Sequence, residues 1–277
     1  MILYPNAKIN LGLQVLERRY DGFHNLETVF IPIGLSDILE FIKSKGNNTN
    51  ITVSGLKIDS DQDENIVFQA WQLMHNRFNI PAIDIYLHKI IPVGAGLGGG
   101  SSDAAFMLKG LNNYFECGAS DSDLENIACK LGSDCAFFIR NMAAIGTGRG
   151  DVLEPIDLSL VGYRILLVNP GIFISTREAY ANVKSFRREE SLKSLLKRPV
   201  SGWQHMIIND FEEFVFKKYP EIGNIKYKLI DAGAAYAAMS GSGSTVYGIF
   251  DQNAKLDQVA AYFSQYYTWQ GPANNIV

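Results

Sequence analysis

Apolar and polar residues alternate strictly near the start of the chain. The apolar residues at 7, 9, 11, 13 and 15 would share one face of a strand, whereas Lys8, Asn10 and Gln14 would share the other. Asp21-Gly22 is a turn signal, and a second extended segment follows at 27–33. This order predicts a long antiparallel hairpin at the start of the chain.

The pattern along the rest of the chain mixes short strands with helices. Strands are predicted at 38–42, 51–54, 83–88 and 163–168 and on either side of the polar loop 239–244. Helices are predicted at 64–77, with Asp61 or Asp63 near the cap, and at 104–115, 121–131, 205–218 and 222–232. A capping box at 175–178 predicts the start of a further short helix. A terminal helix predicted at 256–265 closes the chain. Hairpins without regular strand–helix alternation predict an α+β fold. The segment 148–157 looks like the least compact connection, which predicts domains at 1–152 and 153–277.

Composition narrows the class of protein. The 277 residues are 47% hydrophobic and 19% charged, which suits roughly two globular domains. A formal net charge of −4 and a pI of about 5.6 give no indication of a polyanion-binding surface, so we expect no nucleic-acid partner. The basic run 184–198 is interrupted by Glu189, Glu190 and leucines, which favours a solvated helix.

The N-terminus lacks the features of a signal peptide, and no apolar stretch reaches the roughly 18 residues that a membrane span needs. We therefore expect a cytoplasmic protein without a membrane partner. Cys117, Cys129 and Cys135 form no CxxC pair, so neither a disulfide framework nor a zinc site is indicated. We expect all three to be reduced and to lie in the core.

A glycine-rich loop separates the strand predicted at 83–88 from the helix predicted at 104–115. It contains Gly94, Gly96 and the run Gly98-Gly99-Gly100, directly before Ser101-Ser102-Asp103. Glycines cost backbone entropy in a helix or strand, but they let main-chain N–H groups approach a ligand closely. The following serines and aspartate suit a helix N-cap, which aims the positive end of the helix dipole at the loop. The segment predicts an anion site suited to nucleotide phosphates, with an ordinary flexible loop as the alternative.

Three kinds of phosphate loop are compatible with such a segment. A P-loop would require Lys after the last glycine, where this chain has Ser101. The glycines at 94, 96 and 99 spell the dinucleotide motif GxGxxG, but the residues at 112–118 do not form the acid-ended strand expected about 20 residues later. The third kind is the loop of the GHMP kinases, Pro-x-Gly-x-Gly-Leu-Gly/Ser-Ser-Ser, which the segment from Pro92 to Ala105 closely resembles.

Two other segments resemble GHMP kinase motifs. Asn65 resembles the start of the helix near the adenine site, and Ser240 to Ser244 resembles the third motif, a glycine loop beside the phosphates. The resemblance implies the two-domain α+β GHMP kinase fold, with the active site in the cleft between the domains. It also implies ATP and Mg²⁺, with Ser102 as a candidate metal ligand. The residues implied to bind the nucleotide are Asn65, Pro92, Gly94, Gly96, Leu97, Gly98, Gly99, Gly100, Ser101 and Ser102.

The opening of the chain resembles one family of that superfamily. Pro5 to Leu11 and Arg18 to His24 are similar to the signature of the diphosphocytidyl-methylerythritol kinases, Pro-x-Ala-Lys-Ile-Asn-Leu and then Arg-Arg-x-Asp-Gly-Tyr/Phe-His. The resemblance extends from Pro5 to about Phe250. It implies ATP-dependent phosphorylation of the 2-hydroxyl of 4-diphosphocytidyl-2-C-methyl-D-erythritol, in the non-mevalonate route to isoprenoid precursors.

Lys8 and Asp134 are the predicted catalytic pair. Without the resemblance, the polar face that carries Lys8 could equally be the solvated side of an edge strand, and Asp134 could be a turn residue before an apolar strand. The segment from Leu131 to Phe138 resembles the family's Gly-x-Asp-x-Pro-Phe-Phe motif, in which Asp is the catalytic base, although Ala136 replaces Pro. A carboxylate can accept the hydroxyl proton, and an ammonium beside it can keep that carboxylate ionised and stabilise the transferred group.

The resemblance also implies an acceptor site. His24 resembles the residue that hydrogen-bonds the cytosine, and Phe23 replaces a frequent Tyr that stacks on it. The segment 174–180 resembles the family's Ser-Thr-x-x-x-Tyr/Phe, in which Tyr180 would form the second face of an aromatic sandwich; a core aromatic on a short helix is an equal alternative. The predicted substrate-binding residues are Asn10, Phe23, His24, Thr176 and Tyr180.

Three other functions compete with this hypothesis. Another GHMP kinase, acting on mevalonate, homoserine or a sugar, would have no use for the segment from Arg18 to His24. A dinucleotide-dependent oxidoreductase would bind NAD(P)H at the glycines, and a nucleotide sensor would not need both Lys8 and Asp134. We expect a small-molecule substrate with a cytidine diphosphate group and a monomer or weak homodimer.

Overall fold

A computed structural model describes residues 1–58, 61–183 and 190–273. The strands of these residues are β1 (Ile2–Leu3), β2 (Asn6–Arg18), β3 (His24–Ser36), β4 (Ile38–Lys43), β5 (Asn50–Gly55), β6 (Ile83–Lys89), β7 (Ala144–Thr147), β8 (Val152–Pro155), β9 (Tyr163–Asn169), β10 (Tyr236–Met239), β11 (Val246–Asp251) and β12 (Tyr267–Pro272). The helices are α1 (Ile66–Phe78), α2 (Gly99–Tyr114), α3 (Asp121–Ala128), α4 (Cys135–Arg140), α5 (Thr176–Asn182), α6 (Leu192–Leu195), α7 (Glu212–Lys218), α8 (Pro220–Asp231) and α9 (Leu256–Ala261).

The first of two compact units comprises Met1–Ala7, Leu35–Val93 and Gly98–Met142. Its sheet has the order β1-β4-β6-β5, in which β5 and β6 are parallel and the other pairs are antiparallel. Helix α2 lies directly on this sheet, because a Cβ added at Gly110 would be 2.6 Å from Leu3 Cδ1 and 3.1 Å from Phe41 Cε1. Its buried residues Ala104, Met107, Leu108 and Leu111 follow helical spacing. The glycine loop therefore leads into a firmly packed helix.

The second unit comprises Lys8–Gly34, Gly94–Leu97 and Ala143–Val277. One of its sheets has the order β2-β3-β7-β8, and the other has the order β10-β11-β9-β12. In the second sheet β9 is the buried centre, since Ile165 to Val168 are 0% exposed and β9 pairs with both β11 and β12. Helix α8 packs on β10 and β11. The glycine-loop residues 94–97 belong to this unit, whereas the residues on either side of them belong to the first.

The units alternate along the chain, so they do not correspond to one cut in the sequence. The division into domains at 1–152 and 153–277 stays a prediction. The segment 148–157 is not a loose connection, because it contains β8, which pairs with β7 from Thr147↔Val152 to Ala144↔Pro155.

Several predicted elements are confirmed, among them the opening hairpin, the strands near 38, 51, 83 and 163, the short helix after Ser175, and the strands that flank 239–244. The α+β mixture is also confirmed. The basic run lies partly outside the described residues, which omit 184–189, and its later part contains α6.

The largest errors in the predicted elements concern apolar or glycine-rich segments. The run 135–138 was expected to be a strand but begins helix α4, which packs on α2 and α3, because a short apolar run does not distinguish a buried strand from a buried helix. Helix α2 begins at Gly99 instead of 104, so Gly99 and Gly100 are helical and Ser101-Ser102-Asp103 follow the cap, which is Gly98. The helix predicted at 256–265 forms as α9 but ends at Ala261, and strand β12 follows it in the described part of the chain, so this helix is not the last element there.

Smaller errors concern helix ends and burial. Asn65, not Asp61 or Asp63, caps α1, and the predicted capping box at Ser175 forms no side-chain hydrogen bond. Helix α3 ends at Ala128 instead of 131, and the helix expected from 205 begins at Glu212. Cys135 is buried, Cys117 is half-buried and Cys129 is exposed, so the core placement is correct for Cys135 alone; none of the three forms a disulfide.

Candidate active site

Helix α2 begins in a way that presents main-chain donors. Gly98 is its N-cap and has a φ of 71°, a left-handed conformation that favours glycine. The first helical hydrogen bond runs from Ser102 N–H to Gly98 O at 2.9 Å. In any α-helix the first N–H groups have no acceptor within the helix, and the dipole makes that end positive. The start of α2 therefore has the donors and the field of an anion site.

Within the first unit, one other predicted residue, Asn65, lies near this helix start. Asn65 is buried, and its Oδ1 accepts the N–H of Val67 at 2.9 Å, which caps α1. A Cβ added at Gly100 would lie 3.8 Å from Ile66 Cγ2, so the beginnings of α1 and α2 are neighbours. The structure thus places Asn65 near the first residues of α2, and its role in nucleotide binding stays a prediction.

Within the second unit, the loop residues 94–97 pack against the loop 240–244. A Cβ added at Gly96 would be 2.0 Å from Ser240 O, and one added at Gly243 would be 2.2 Å from Ala95 C. The two backbones also join through Thr245 N–H to Ala95 O at 3.3 Å. Glycine is required at 96 and 243 because two main chains touch there. The predicted third motif and residues 94–97 of the predicted nucleotide loop therefore form one structural feature.

Lys8 is buried against this pair of loops. It is 3% exposed, and its Nζ donates to Asn10 Oδ1 at 2.5 Å and to Gly96 O at 3.1 Å. Its main-chain N–H donates to Leu97 O at 2.9 Å. The polar face of β2 is therefore buried, and the alternative of a solvated edge strand is wrong.

Asn10 continues the same network. Its Nδ2 donates to Thr28 Oγ1 at 2.9 Å, and its main-chain N–H donates to Ser240 Oγ at 3.1 Å. Ser240 Oγ in turn donates to Gly96 O at 2.9 Å. Gly96 O thus accepts from both Ser240 and Lys8, which fixes the turn of the glycine loop relative to β2.

Asp134 lies in the first unit, at the N-cap of α4. It is half-buried, has φ −83° and ψ −10°, and makes no side-chain hydrogen bond to the first turn of that helix. The next residue, Cys135, is fully buried, and burial raises the pKa of its thiol to about 11. Packing of α4 on α2 and α3 therefore fixes the backbone that carries Asp134. The pairing of Asp134 with Lys8 stays a prediction.

The predicted acceptor residues His24 and Tyr180 meet in the second unit. Their rings are stacked, with centroids 5.4 Å apart and an angle of 19°, and Tyr180 also meets Phe211 edge-on at 4.9 Å. Burial, aided by the charge of Arg18, lowers the pKa of His24. A neutral imidazole offers one donor and one acceptor, which suits recognition of a nucleobase edge.

Phe23 is 54% exposed, and it has a partner that the sequence did not suggest. The guanidinium carbon of Arg149 lies 5.0 Å from the centroid of the Phe23 ring, and Arg149 Nη2 is 3.3 Å from Asp151 Oδ2. Arg149 lies in the turn 147–151, where Gly148 and Gly150 both have positive φ. The two glycines beside it were the signal in the sequence that could have pointed to Arg149.

Thr176 links the acceptor residues to the glycine loops. Its Oγ1 lies 3.1 Å from Ser242 Oγ in the loop 240–244. The second unit therefore brings Lys8, Asn10, Gly96 and Thr176 to the same two loops, although they are far apart in the sequence.

Two buried oxygen atoms near the start of α2 have no hydrogen-bond partner within the described residues, Ser102 Oγ and Asp103 Oδ1. Among the same residues there is no group of three or more His, Cys, Asp or Glu side chains able to hold a metal ion. A lone hydroxyl oxygen fits Mg²⁺ bound chiefly through substrate phosphates and water, and does not fit an all-protein cage.

In the part of the chain that the structure describes, no helix has both the length and the apolar character needed to cross a bilayer.

Comparison with known proteins identifies the family. The model of the GHMP kinases N terminal domain matches residues 65–142, and that of the GHMP kinases C terminal domain matches residues 188–268. The chain is 50% identical to 4-diphosphocytidyl-2-C-methyl-D-erythritol kinase of Bacteroides thetaiotaomicron over 93% of this chain and 95% of that protein. The chain belongs to the 4-diphosphocytidyl-2-C-methyl-D-erythritol kinase family.

Further comparisons agree. The kinase of that name from Parabacteroides distasonis is 46% identical over 98% of this chain and 99% of its own length. A crystal structure of a 4-(cytidine 5'-diphospho)-2C-methyl-D-erythritol kinase superposes with a TM-score of 0.85 at 29% identity, over 98% of both chains. The expected GHMP kinase fold and the assignment to small-molecule kinases are thus confirmed. The oxidoreductase and nucleotide-sensor alternatives are excluded.

Proposed function

We propose that this kinase transfers the γ-phosphoryl group of ATP to the 2-hydroxyl of 4-diphosphocytidyl-2-C-methyl-D-erythritol. The reaction would belong to the non-mevalonate route to isoprenoid precursors. Relatives that bear the name of this activity at 50% identity support the substrate. The structural observation that carries the proposal is the buried amine of Lys8, 3.1 Å from the carbonyl of Gly96 in the glycine loop.

The proposed nucleotide site uses the start of α2. Main-chain N–H groups after Gly98 would bind phosphate oxygens, and Asn65 stands at the neighbouring helix start, where the adenosine end would lie. Ser102 would hold Mg²⁺ through its buried Oγ. When bound, the metal would neutralise charge on the nucleotide's phosphates.

The proposed chemistry is a direct transfer. The acceptor oxygen forms a bond to the γ-phosphorus while the bond from that phosphorus to the bridging oxygen breaks, and ADP leaves. Asp134 takes the hydroxyl proton as the new bond forms. Lys8, held by Asn10 and Gly96, places a positive charge where the transferred group develops negative charge.

The proposed acceptor site uses the residues near Tyr180. His24 would hydrogen-bond the cytosine edge, and Phe23 and Tyr180 would supply aromatic faces. Thr176 and Asn10 lie beside the glycine loops, where the diphosphate and the methylerythritol end would follow. Arg149, positioned over Phe23, would add a positive charge near the base or the diphosphate.

The proposed setting is the cytoplasm, with a small-molecule substrate and no nucleic-acid or membrane partner. We propose a monomer or a weak homodimer.

The test is an ADP-release assay with several alcohols, including 4-diphosphocytidyl-2-C-methyl-D-erythritol, mevalonate and homoserine. We expect turnover of the cytidine ester, and a loss of kcat of about 10²- to 10⁴-fold in Asp134→Ala because a general base is removed. Asp121→Ala, an exposed carboxylate on α3 in the same unit, is the matched control and should keep full activity. Equal turnover of an alcohol without the cytidine group would refute the substrate.

A further inference from the structure

Three buried charged residues join the two ends of the glycine loop, and the proposed chemistry does not use them. Asp37, Lys89 and Asp103 are 0%, 3% and 1% exposed. Lys89, the last residue of β6, donates from Nζ to Asp37 Oδ2 and, at 2.6 Å, to Asp103 Oδ2 in the second turn of α2. The strand that enters the loop is thereby linked to the helix that leaves it.

Asp37 also holds the main chain that follows Lys89. Its Oδ1 accepts the N–H of Ile90 at 2.5 Å and the N–H of Ile91 at 2.8 Å. One carboxylate therefore binds two consecutive backbone amides and the ammonium group. Charge-assisted hydrogen bonds of this kind are stronger and more directional than neutral ones, so they define the path of the chain into the loop.

The packing around this group leaves little freedom. A Cβ added at Gly99 would be 2.9 Å from Ile91 Cγ2 and 3.3 Å from Lys89 Nζ. On the other side, Leu56 N–H donates to Lys89 O at 2.9 Å, and a Cβ added at Gly55 would be 2.2 Å from that oxygen. The first helical residue of α2 is thus seated on the residues that Asp37 fixes.

Stability alone does not explain three buried charges. Burying ions is costly, and apolar residues of similar volume often give equal or greater stability. Here two carboxylates share one ammonium, and Asp103 Oδ1 has no hydrogen-bond partner within the described residues. A buried polar group does define one arrangement of the chain, because its hydrogen bonds are satisfied in that arrangement alone.

We propose that Asp37 is a positioning residue for nucleotide binding. Through Lys89 and the amides of Ile90 and Ile91, it holds the first turn of α2 in the geometry that binds the phosphates of ATP. The inference rests on the proposed function, since it takes that turn as the phosphate site. Asp37 itself does not touch the nucleotide.

The test compares nucleotide and acceptor binding in Asp37→Asn. This isosteric change keeps an oxygen for the two amides but removes the charge that holds Lys89. We expect the Kd for the ATP analogue AMP-PNP, measured by calorimetry, and the KM for ATP to rise about tenfold, with the KM of the cytidine ester changed less than about twofold. Lys89→Gln breaks the same link from its other end, should give the same result, and serves if Asp37→Asn does not fold.

Asp103→Asn weakens the same link at its helix end but keeps an acceptor for Lys89 and leaves the Asp37–Lys89 pair intact, so we expect it to raise the Kd for AMP-PNP less than Asp37→Asn does. One control separates positioning from general loss of stability. Leu124→Ala opens a cavity in the buried face of α3 and should lower Tm without changing either constant.

A lowered Tm in Asp37→Asn with unchanged AMP-PNP affinity would overturn the proposal, and so would a parallel rise in both KM values. If the unaltered protein binds AMP-PNP but does not phosphorylate the cytidine ester, the proposed function fails while the binding comparison still decides the role of Asp37. If it binds no AMP-PNP, both are overturned.

Discussion

The two glycine segments of this kinase, 94–100 and 240–244, have similar compositions but different physical roles. The first ends in a helix start, where Gly98 caps α2 and the following N–H groups are available to an anion. The second connects β10 to β11, and part of its main chain is bonded within the protein, since Ser240 N–H donates to Thr245 O at 2.9 Å and Gly243 N–H donates to Ser240 O at 3.3 Å. Asn209 Nδ2 donates to Met239 O at 2.8 Å and to Gly241 O at 2.7 Å, and Glu212 Oε1 accepts the N–H of Met239 at 2.8 Å.

The difference shows why a glycine-rich motif alone does not define a binding site. At Gly98 the glycine permits a left-handed cap before a helix, whereas at Gly243 it permits contact with another main chain. The second segment supports the first, because Gly96 rests on Ser240 and Lys8 binds the same carbonyl as Ser240 does. The second segment therefore holds residues 94–97 in place, and ligand binding by the first segment stays a proposal.

Among the tests of this comparison, the largest expected effect concerns Lys8, which binds Gly96 of the first segment beside Ser240 of the second. Lys8→Met keeps the length of the side chain but removes the charge and the hydrogen bonds to Asn10 and Gly96, so kcat should fall about 10²- to 10³-fold. The measurement is kcat with saturating ATP and cytidine ester. Gln14→Met, also buried on the polar face of β2, is the matched control and should be nearly as active as the unaltered protein. Equal losses in both variants would contradict a specific role for Lys8.

An intermediate effect is expected for substitution of Gly96, and a smaller one for substitution of Gly94, although both glycines have positive φ. A Cβ at Gly96 would be 2.0 Å from the backbone oxygen of Ser240, which is unable to move aside, whereas one at Gly94 would be 3.3 Å from the Phe173 ring. We expect Gly96→Ala to raise the KM for ATP by about 10²-fold because the loop is displaced. Gly94→Ala should cost about 1 kcal/mol of stability for its backbone conformation, with a smaller kinetic effect. Similar KM values in the two variants would show that contact with the second segment is unimportant.

The smallest expected effect is the contribution of His24 to the pH dependence of stability. His24 lies in the same unit as the second glycine segment and stacks on Tyr180. Its folded pKa lies below the unfolded value, so its contribution to stability is present above about pH 6.5 and is lost as the pH falls through the folded pKa. Urea midpoints at pH 7.5 and 5.5 should therefore differ less in His24→Asn than in the unaltered protein. An unchanged difference would indicate that His24 titrates as it does in the unfolded chain.

Much of the fold and the site follows from local pattern. The alternation in β2 predicts its strand, and the order of glycine, serine and aspartate predicts a helix start beside an anion site. The error at 135–138 came from an apolar run whose helical form depends on packing against α2 and α3. Arg149, Asp37 and Lys89 were not found, because isolated charged residues carry no pattern that distinguishes a surface position from a buried one. Asp103 was assigned to the helix cap, and its ion pair with Lys89 was missed for the same reason.

The sequence by itself determined the family, the kinase chemistry and the residues that carry its motifs, because motif residues are close together in the chain and their spacing is a local property. Only the tertiary structure decided that the polar face of β2 is buried, that residues 94–97 rest on 240–244, and that Asp37 reaches Lys89 across 52 positions. Burial and long-range hydrogen bonds depend on which elements pack together. That packing is a property of the whole chain, which no short segment specifies.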